Sequence, residues 1–291
     1  MKKNDYRLKG HESFILREGW ITKGLRAVHG NKNTFSNANN YGTDTLGVGT
    51  NMAKSIRYWM KAMKLTDDTP KGVVLTALGE LIYKYDTYIE DIFTLWLLHV
   101  NLTSNFQQAT SWNVFFNDFT LSSFSREEMI TLMTELLSIR TGDDNLSERS
   151  IKDDCVAIVQ MYAETDEKNY DPEDKKVSPF AELGLLKVEK NMYEKTRPAV
   201  TDVCPELILY IIKETLESNG SILIDDLVEK DNMPGKLLNL NRVILNDYLD
   251  QLQNKKYIIV NRTAGLDVIY PGEELDVMFM IENYYGGRMN E

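Results

Sequence analysis

Six side chains on one stretch suit contact with a nucleic acid: Asn51, Lys54, Ser55, Arg57, Tyr58 and Lys61. Amide, hydroxyl and cationic groups recurring every three or four residues would share a helix face. Such a face can hydrogen-bond base edges and neutralise phosphates. Met52, Ile56, Trp59, Met60 and Met63 fall on the other side, an apolar stripe for burial. The turn Leu46-Gly47-Val48-Gly49 leads in, and Thr50 is placed to cap the first turn. The competing reading is a solvated face, which any amphipathic helix possesses.

Charge placement favours contact. The 291 residues carry a net charge of −11, yet residues 1–65 hold twelve Lys and Arg against four acids, a local +8. The other 226 residues therefore carry −19. A basic end on an acidic body attracts polyanions locally. Lys23 and Arg26, outward on a helix expected from about Arg17 to His29, belong to that end.

Enzymatic motifs fail on their chemistry. Gly47-x-Gly49-x-x-x-x-Lys54-Ser55 has Ala53 where a phosphate-binding loop needs glycine before the lysine, and no strand precedes it. His11-Glu12 lacks the second histidine of a zinc protease helix, and His29 and His99 are scattered. His99, on an apolar helix, reads as a satisfied core residue. Asp171-Pro172-Glu173-Asp174-Lys175-Lys176 ends like a nuclease signature but has no strand-forming neighbours, so it reads as a solvated charge run. Cys155 and Cys204 match no metal or redox spacing and read as reduced thiols. No catalytic residue, metal ligand or cofactor is assigned.

The elements that must position the basic face follow from periodicity and turn chemistry. Gly72 to Leu75 reads as a short strand, and Leu75 to Glu80 bends into a helix ending at Tyr85. Helix, turn, helix and strand is the order of a winged helix-turn-helix. From Asp86 to about Leu137 the chain is helical and apolar, with a capping box at Ser125-Arg126-Glu127-Glu128. Asp153 to Ala163 is a further helix, and Leu183 to Tyr193 a hairpin. After Pro198 come a helix from Pro205 to Leu216 and a strand at Ile222-Leu223-Ile224. A long helix from Leu240 to Asn254 and a hairpin about Thr263-Ala264-Gly265 follow. This is a second winged-helix order. Its long helix turns Asp247 and Asp250 outward, leaving Arg262 as its one expected phosphate contact. The expectation is a mainly α fold with minor β (α+β): an N-terminal winged-helix-like module at 1–85, a helical acidic region at 86–198, and a C-terminal winged-helix-like module at 199–291.

Several blocks resemble one family. Gly10-His11-Glu12-Ser13-Phe14-x-Leu16-Arg17-x-Gly19-Trp20 and Leu46-Gly47-Val48-Gly49-x-Asn51-Met52-x-Lys54-Ser55-Ile56-Arg57-Tyr58-Trp59 are similar to the domain-of-unknown-function 4007 family. So are Leu75-Thr76-x-Leu78-Gly79-Glu80, Tyr88-Ile89-Glu90-Asp91, Thr94 to His99, and Arg262 to Asp267. The resemblance implies a neighbourhood of bacterial DNA phosphorothioation, restriction and anti-phage defence genes, and no settled activity. Thr50 stands where the resemblance leads one to expect lysine.

The function expected is a non-catalytic, DNA-binding accessory protein of such a system. Double-stranded DNA and other subunits are its expected partners. Its expected DNA contacts are Lys23, Arg26, Thr50, Asn51, Lys54, Ser55, Arg57, Tyr58, Lys61 and Arg262. An adaptor without DNA affinity and a metal-dependent nuclease are the alternatives. No apolar run approaches the ~18 residues of a membrane span, and no apolar stretch follows Lys2-Lys3, so a cytoplasmic protein is expected.

Overall fold

The computed structural model describes residues 6–163, 177–263, 266–272 and 276–288. The acidic run Asp171 to Lys176 and the Ala264-Gly265 turn lie outside the described residues. The chain divides into one unit of residues 1–196 and another of residues 197–291. The expected boundary between residues 85 and 86 thus falls inside the first unit. The described residues are mainly helical, with three small antiparallel sheets. No helix among them is long and apolar enough to cross a membrane.

In the first unit, helix α1 (Trp20–Gly30) buries Trp20, Ile21, Leu25 and Val28. The Asn-rich stretch becomes a 3-10 turn, Asn37–Gly42, and the short α2 (Thr43–Leu46). Helix α3 (Thr50–Ala62) starts one residue earlier than a Thr50 cap requires: Gly49 is its N-cap and Thr50 is already helical. The amides of Gly47 and Val48 both donate to Thr43 O, so the chain has turned before it reaches Thr50.

Strand β1 (Thr66–Thr69) pairs antiparallel with β2 (Gly72–Leu75), Thr66 opposite Leu75. Only β2 was expected. The polar Thr-Asp-Asp-Thr of β1 takes strand form through that pairing, which its local composition does not signal. Gly72 sits at φ 116, where a Cβ would lie 2.5 Å from Lys32 O. That same carbonyl accepts from Val73 N at 2.8 Å, tying the hairpin to the end of α1. Thr76 caps α4 (Ala77–Tyr85), its Oγ1 accepting from Gly79 N at 3.1 Å.

Helices α5 (Ile92–Thr103) and α6 (Thr110–Asn117) are buried on nearly every side, as their unbroken apolar sequence requires. Inside this core His99 Nδ1 meets Tyr162 Oη at 2.8 Å, so the expected core role of His99 holds. Strand β3 (Ser123–Phe124) leads to α7 (Arg126–Thr141), which opens on the expected Ser125–Glu128 capping box. Then come α8 (Glu148–Tyr162) and the hairpin β4 (Leu186–Glu189) and β5 (Met192–Lys195), with β5 central between β3 and β4.

Residues 6–19 form no helix or strand but are bonded along their length. Tyr6 Oη donates to Asp143 at 2.7 Å and Arg7 N to Thr110 Oγ1 at 2.8 Å. The centre of the attachment is Asp154 on α8, 1% exposed. Its carboxylate accepts from Lys9 N at 3.0 and 3.2 Å, His11 Nε2 at 2.9 Å and Ser111 Oγ at 2.6 Å. His11 stacks on Trp59 of α3 and meets Trp112 of α6 edge-on. One buried carboxylate therefore joins the N-terminal segment, α6 and α8.

The second unit opens with α9 (Pro205–Asn219), closed by Gly220 at φ 72. It continues with β6 (Ile222–Leu223), α10 (Ile224–Glu229), the short α11 (Pro234–Leu237) and α12 (Arg242–Asn254), capped by Asn241. Strands β7 (Ile258–Thr263) and β8 (Leu266–Pro271) complete a sheet of order β6-β8-β7, and α13 (Val277–Arg288) follows. Helix α13 had no counterpart in the sequence reading.

Replacing Asp154 by alanine leaves His11, Ser111 and Lys9 N without their shared acceptor. Loss of one partner from a buried charged network costs about 3–5 kcal/mol, and Asp154→Ala should lose stability on that scale in urea unfolding. A loss below about 1 kcal/mol, the worth of an exposed pair, would contradict the central role given to this carboxylate.

Candidate functional site

Along α3 two strips are buried. Ile56, Trp59, Met60 and Met63 form the expected apolar strip, with Met52 only half-buried. The second strip contains Ser55 and Tyr58, expected on the exposed face and instead covered by the N-terminal segment. Ser55 Oγ donates to Phe14 O at 3.3 Å, and Trp59 Nε1 to the same oxygen at 3.2 Å. Gly10 lies against the Tyr58 ring so closely that a Cβ would overlap it. Burial pushes the Tyr58 phenol well above its ordinary pKa, so it stays neutral. Ser55 is thereby fully covered, and Tyr58 keeps only a narrow edge toward a cleft beside α3. The cause is a second layer of chain, which helical periodicity cannot reveal.

What stays outward is a narrow strip: Thr50, Asn51 and Lys54 exposed, Arg57 and Lys61 half-exposed. It borders a cleft of about 410 Å³, walled by Arg7, Gly10 and Glu12 of the N-terminal segment and by Phe35 and Tyr41 before α2. Lys54, Arg57, Tyr58 and Lys61 of α3 and Asp68 of β1 complete it. Four cations face two acids. Asp68 Oδ1 accepts from Arg57 Nη2 at 2.8 Å, and Asp68 Oδ2 from Lys61 Nζ at 2.6 Å. Arg7 lies 5.0 Å above the Tyr58 ring and Lys54 5.3 Å above that of Tyr41. These cations are held in place by the walls before any ligand arrives.

Lys23 and Arg26 do not line this cleft. Lys23 Nζ donates to Leu46 O at 3.0 Å, closing the end of α2. Arg26 donates to Tyr88 Oη at 2.6 Å and covers its ring at 4.8 Å. Arg262 belongs to the second unit, where Asp250 at 2.8 Å and Asn246 at 3.2 Å hold it. Arg7, Phe35, Tyr41 and Asp68 were not singled out from sequence. Arg7 is near the Gly10-His11-Glu12-Ser13-Phe14 block, a signal that pointed to the segment; Phe35 and Tyr41 gave none.

Cys155 and Cys204 are unpaired thiols. Burial pushes both upward, Cys204 to about 12, so neither is a thiolate at neutral pH. Among the described residues no three His, Cys, Asp or Glu side chains converge to hold a metal ion.

The hydrogen bonds from Lys61 and then Arg57 hold the Asp68 carboxyl below its ordinary value. A depressed folded pKa contributes stability above the unfolded value of about 3.9. That contribution is lost as pH falls through the lower folded value. A carboxyl-detected NMR titration should place the Asp68 midpoint below that of an exposed aspartate, and Lys61→Met should raise it. A midpoint unmoved by Lys61→Met would show that the pair does not form in solution.

Compared with known proteins, the chain belongs to the family described as protein of unknown function, DUF4007, whose match runs over residues 8–285. Two solved structures are similar. One is a magnesium ion-bound SspB crystal structure, at 24% identity and TM-score 0.82 over 98% of this chain and 89% of that one. The other is an SspB crystal structure, at 23% identity and TM-score 0.80 over the same shares. At such identities the likeness is one of fold. No curated protein matches.

Proposed function

We propose that this DUF4007 chain is a DNA-binding component of a bacterial DNA modification system linked to phosphorothioation and restriction. In this reading α1, α2, α3 and the β1–β2 hairpin act as a winged helix with α3 toward the DNA. The observation that carries the reading is the outward strip Asn51, Lys54, Arg57 and Lys61, set on the basic end of an acidic chain. With Ser55 and Tyr58 buried, Thr50 and Asn51 of the first turn are the uncharged hydrogen-bonding side chains of the strip left for base edges. The remaining groups suit phosphates, which position a protein without specifying sequence. Low sequence selectivity follows. The Asp68 pairs do not obstruct this, because exposed ion pairs are worth little and exchange readily for phosphate.

The second unit repeats the order of helices followed by a hairpin, but the arginines of its long helix and hairpin are committed. Arg242 pairs with Asp225 and with Asp267 at 2.5 Å, and Arg262 with Asp250. Asp247 and Asp250 are exposed on α12, where they would repel phosphates. The adaptor role therefore fits this unit: contact with a partner protein of the same system. The magnesium of one similar SspB structure finds no trio of ligands among the described residues here, and no contact in the proposed interface depends on a metal.

The test is duplex binding by fluorescence anisotropy across a salt series. Lys54→Glu with Lys61→Glu should lower low-salt affinity at least about a hundredfold and reduce the slope of log K against log salt by about two. Unchanged affinity in a folded double variant would sink the reading. Repeating the titration with magnesium chloride and a gel readout should return intact duplex; nicked product would overturn the accessory role.

A further inference from the structure

The cleft beside α3 is too small for a duplex and the right size for one nucleotide. Its roughly 410 Å³ falls within the range of small-ligand sites, whereas the major groove alone is about 12 Å wide. We propose that the cleft seats a single phosphoryl group of a nucleotide. Asp68 occupies that anion position until the nucleotide arrives, acting as an internal mimic and competitor. The proposal rests on the nucleic-acid reading of the same face.

Three features support it. First, the Asp68 carboxylate bridges Arg57 Nη2 at 2.8 Å and Lys61 Nζ at 2.6 Å, the paired-cation arrangement that also clamps a phosphate. Asp68 sits on the hairpin at 41% side-chain exposure, so it can be displaced without opening the core. Lys54 adds charge from α3 and Arg7 from the N-terminal segment, and Glu12 is the second acid among the lining residues.

Second, the cations lie beside aromatic faces. Tyr41 is half-exposed with Lys54 over its ring, and Phe35 is buried behind the same rim. An aromatic face next to a phosphate clamp is the chemistry of a nucleotide, base on ring and phosphate on cation. Third, Asn40 and Tyr41 both hold left-handed backbone, at φ 48 and 55. A bulky residue seldom adopts that conformation, and such positions cluster at ligand rims. Here it presents the Tyr41 ring to the cleft.

A single-strand end and a free mononucleotide share this chemistry, and the experiment separates them. Isothermal titration would use four probes: 5′-phosphorylated thymidine trinucleotide, the same trinucleotide without its 5′-phosphate, thymidine 5′-monophosphate and inorganic phosphate. In the full chain, Asp68→Asn and Asp68→Ser should each tighten phosphorylated trinucleotide binding about three- to tenfold. Tyr41→Ala should weaken the trinucleotide and leave inorganic phosphate unchanged. Preference for the trinucleotide over the monophosphate assigns the site to strands, and equal binding assigns it to free nucleotides.

Either Asp68 variant binding no tighter, with an unchanged circular dichroism spectrum, would overturn the mimic. No binding of any probe would overturn the site. If duplex binding is lost in the Lys54→Glu, Lys61→Glu variant while Asp68→Asn brings no gain, the cleft proposal falls and the DNA-binding reading stands. If the wild-type chain binds neither duplex nor trinucleotide, the DNA-binding reading falls with it.

Discussion

The Asp154 carboxylate is the constraint on which the candidate site depends. A buried carboxylate must be hydrogen-bonded on both oxygens or it destabilises the fold by its own desolvation. Here three donors come from two places: Lys9 N and His11 in the N-terminal segment, and Ser111 on α6. Satisfying the charge therefore draws residues 6–14 across the first unit and lays them on α3. Gly10 is what lets the backbone pass flat over Tyr58. The cleft wall bearing Arg7 and Glu12 exists because that segment is held there.

This arrangement changes what α3 can do. A helix buried on one side presents a broad polar face; a helix buried on two presents a ridge. The ridge retains its cations and loses Ser55 and Tyr58 of its uncharged hydrogen-bonding groups, so its recognition shifts from bases toward phosphates. The cations of the cleft are also steadied in advance, by Asp68 or by tyrosine rings, which lowers the ordering cost when an anion replaces those partners.

Much of the helical framework was legible because its signals are local. The apolar strip of α3, the capping box at Ser125 and Glu128, the start of α9 at Pro205 and the buried run through α5 all follow from spacing within a few residues. What escaped depends on distant partners. Strand β1 has no strand composition and is made by β2. Ser55 and Tyr58 look exposed on a helical wheel, and only the segment bonded to Asp154 conceals them. Tyr41 gave no signal at all, since its place on the rim comes from an irregular turn. The basic side of the cleft could be read from charge; its acidic and aromatic sides could not.

The contacts that fasten the N-terminal segment span great distances along the chain: Tyr6 to Asp143, Lys9 to Asp153 and Asp154, and His11 to Asp154. Pairings of such separation form late, because a long loop must close before they contribute. During synthesis the helix–hairpin region that includes α3 emerges well before α8. Its basic ridge is therefore made first, and the wall that narrows it arrives only once residues 143–154 have left the ribosome. Residues 6–14, which precede α3 in the chain, are thus among the last in this unit to find their places.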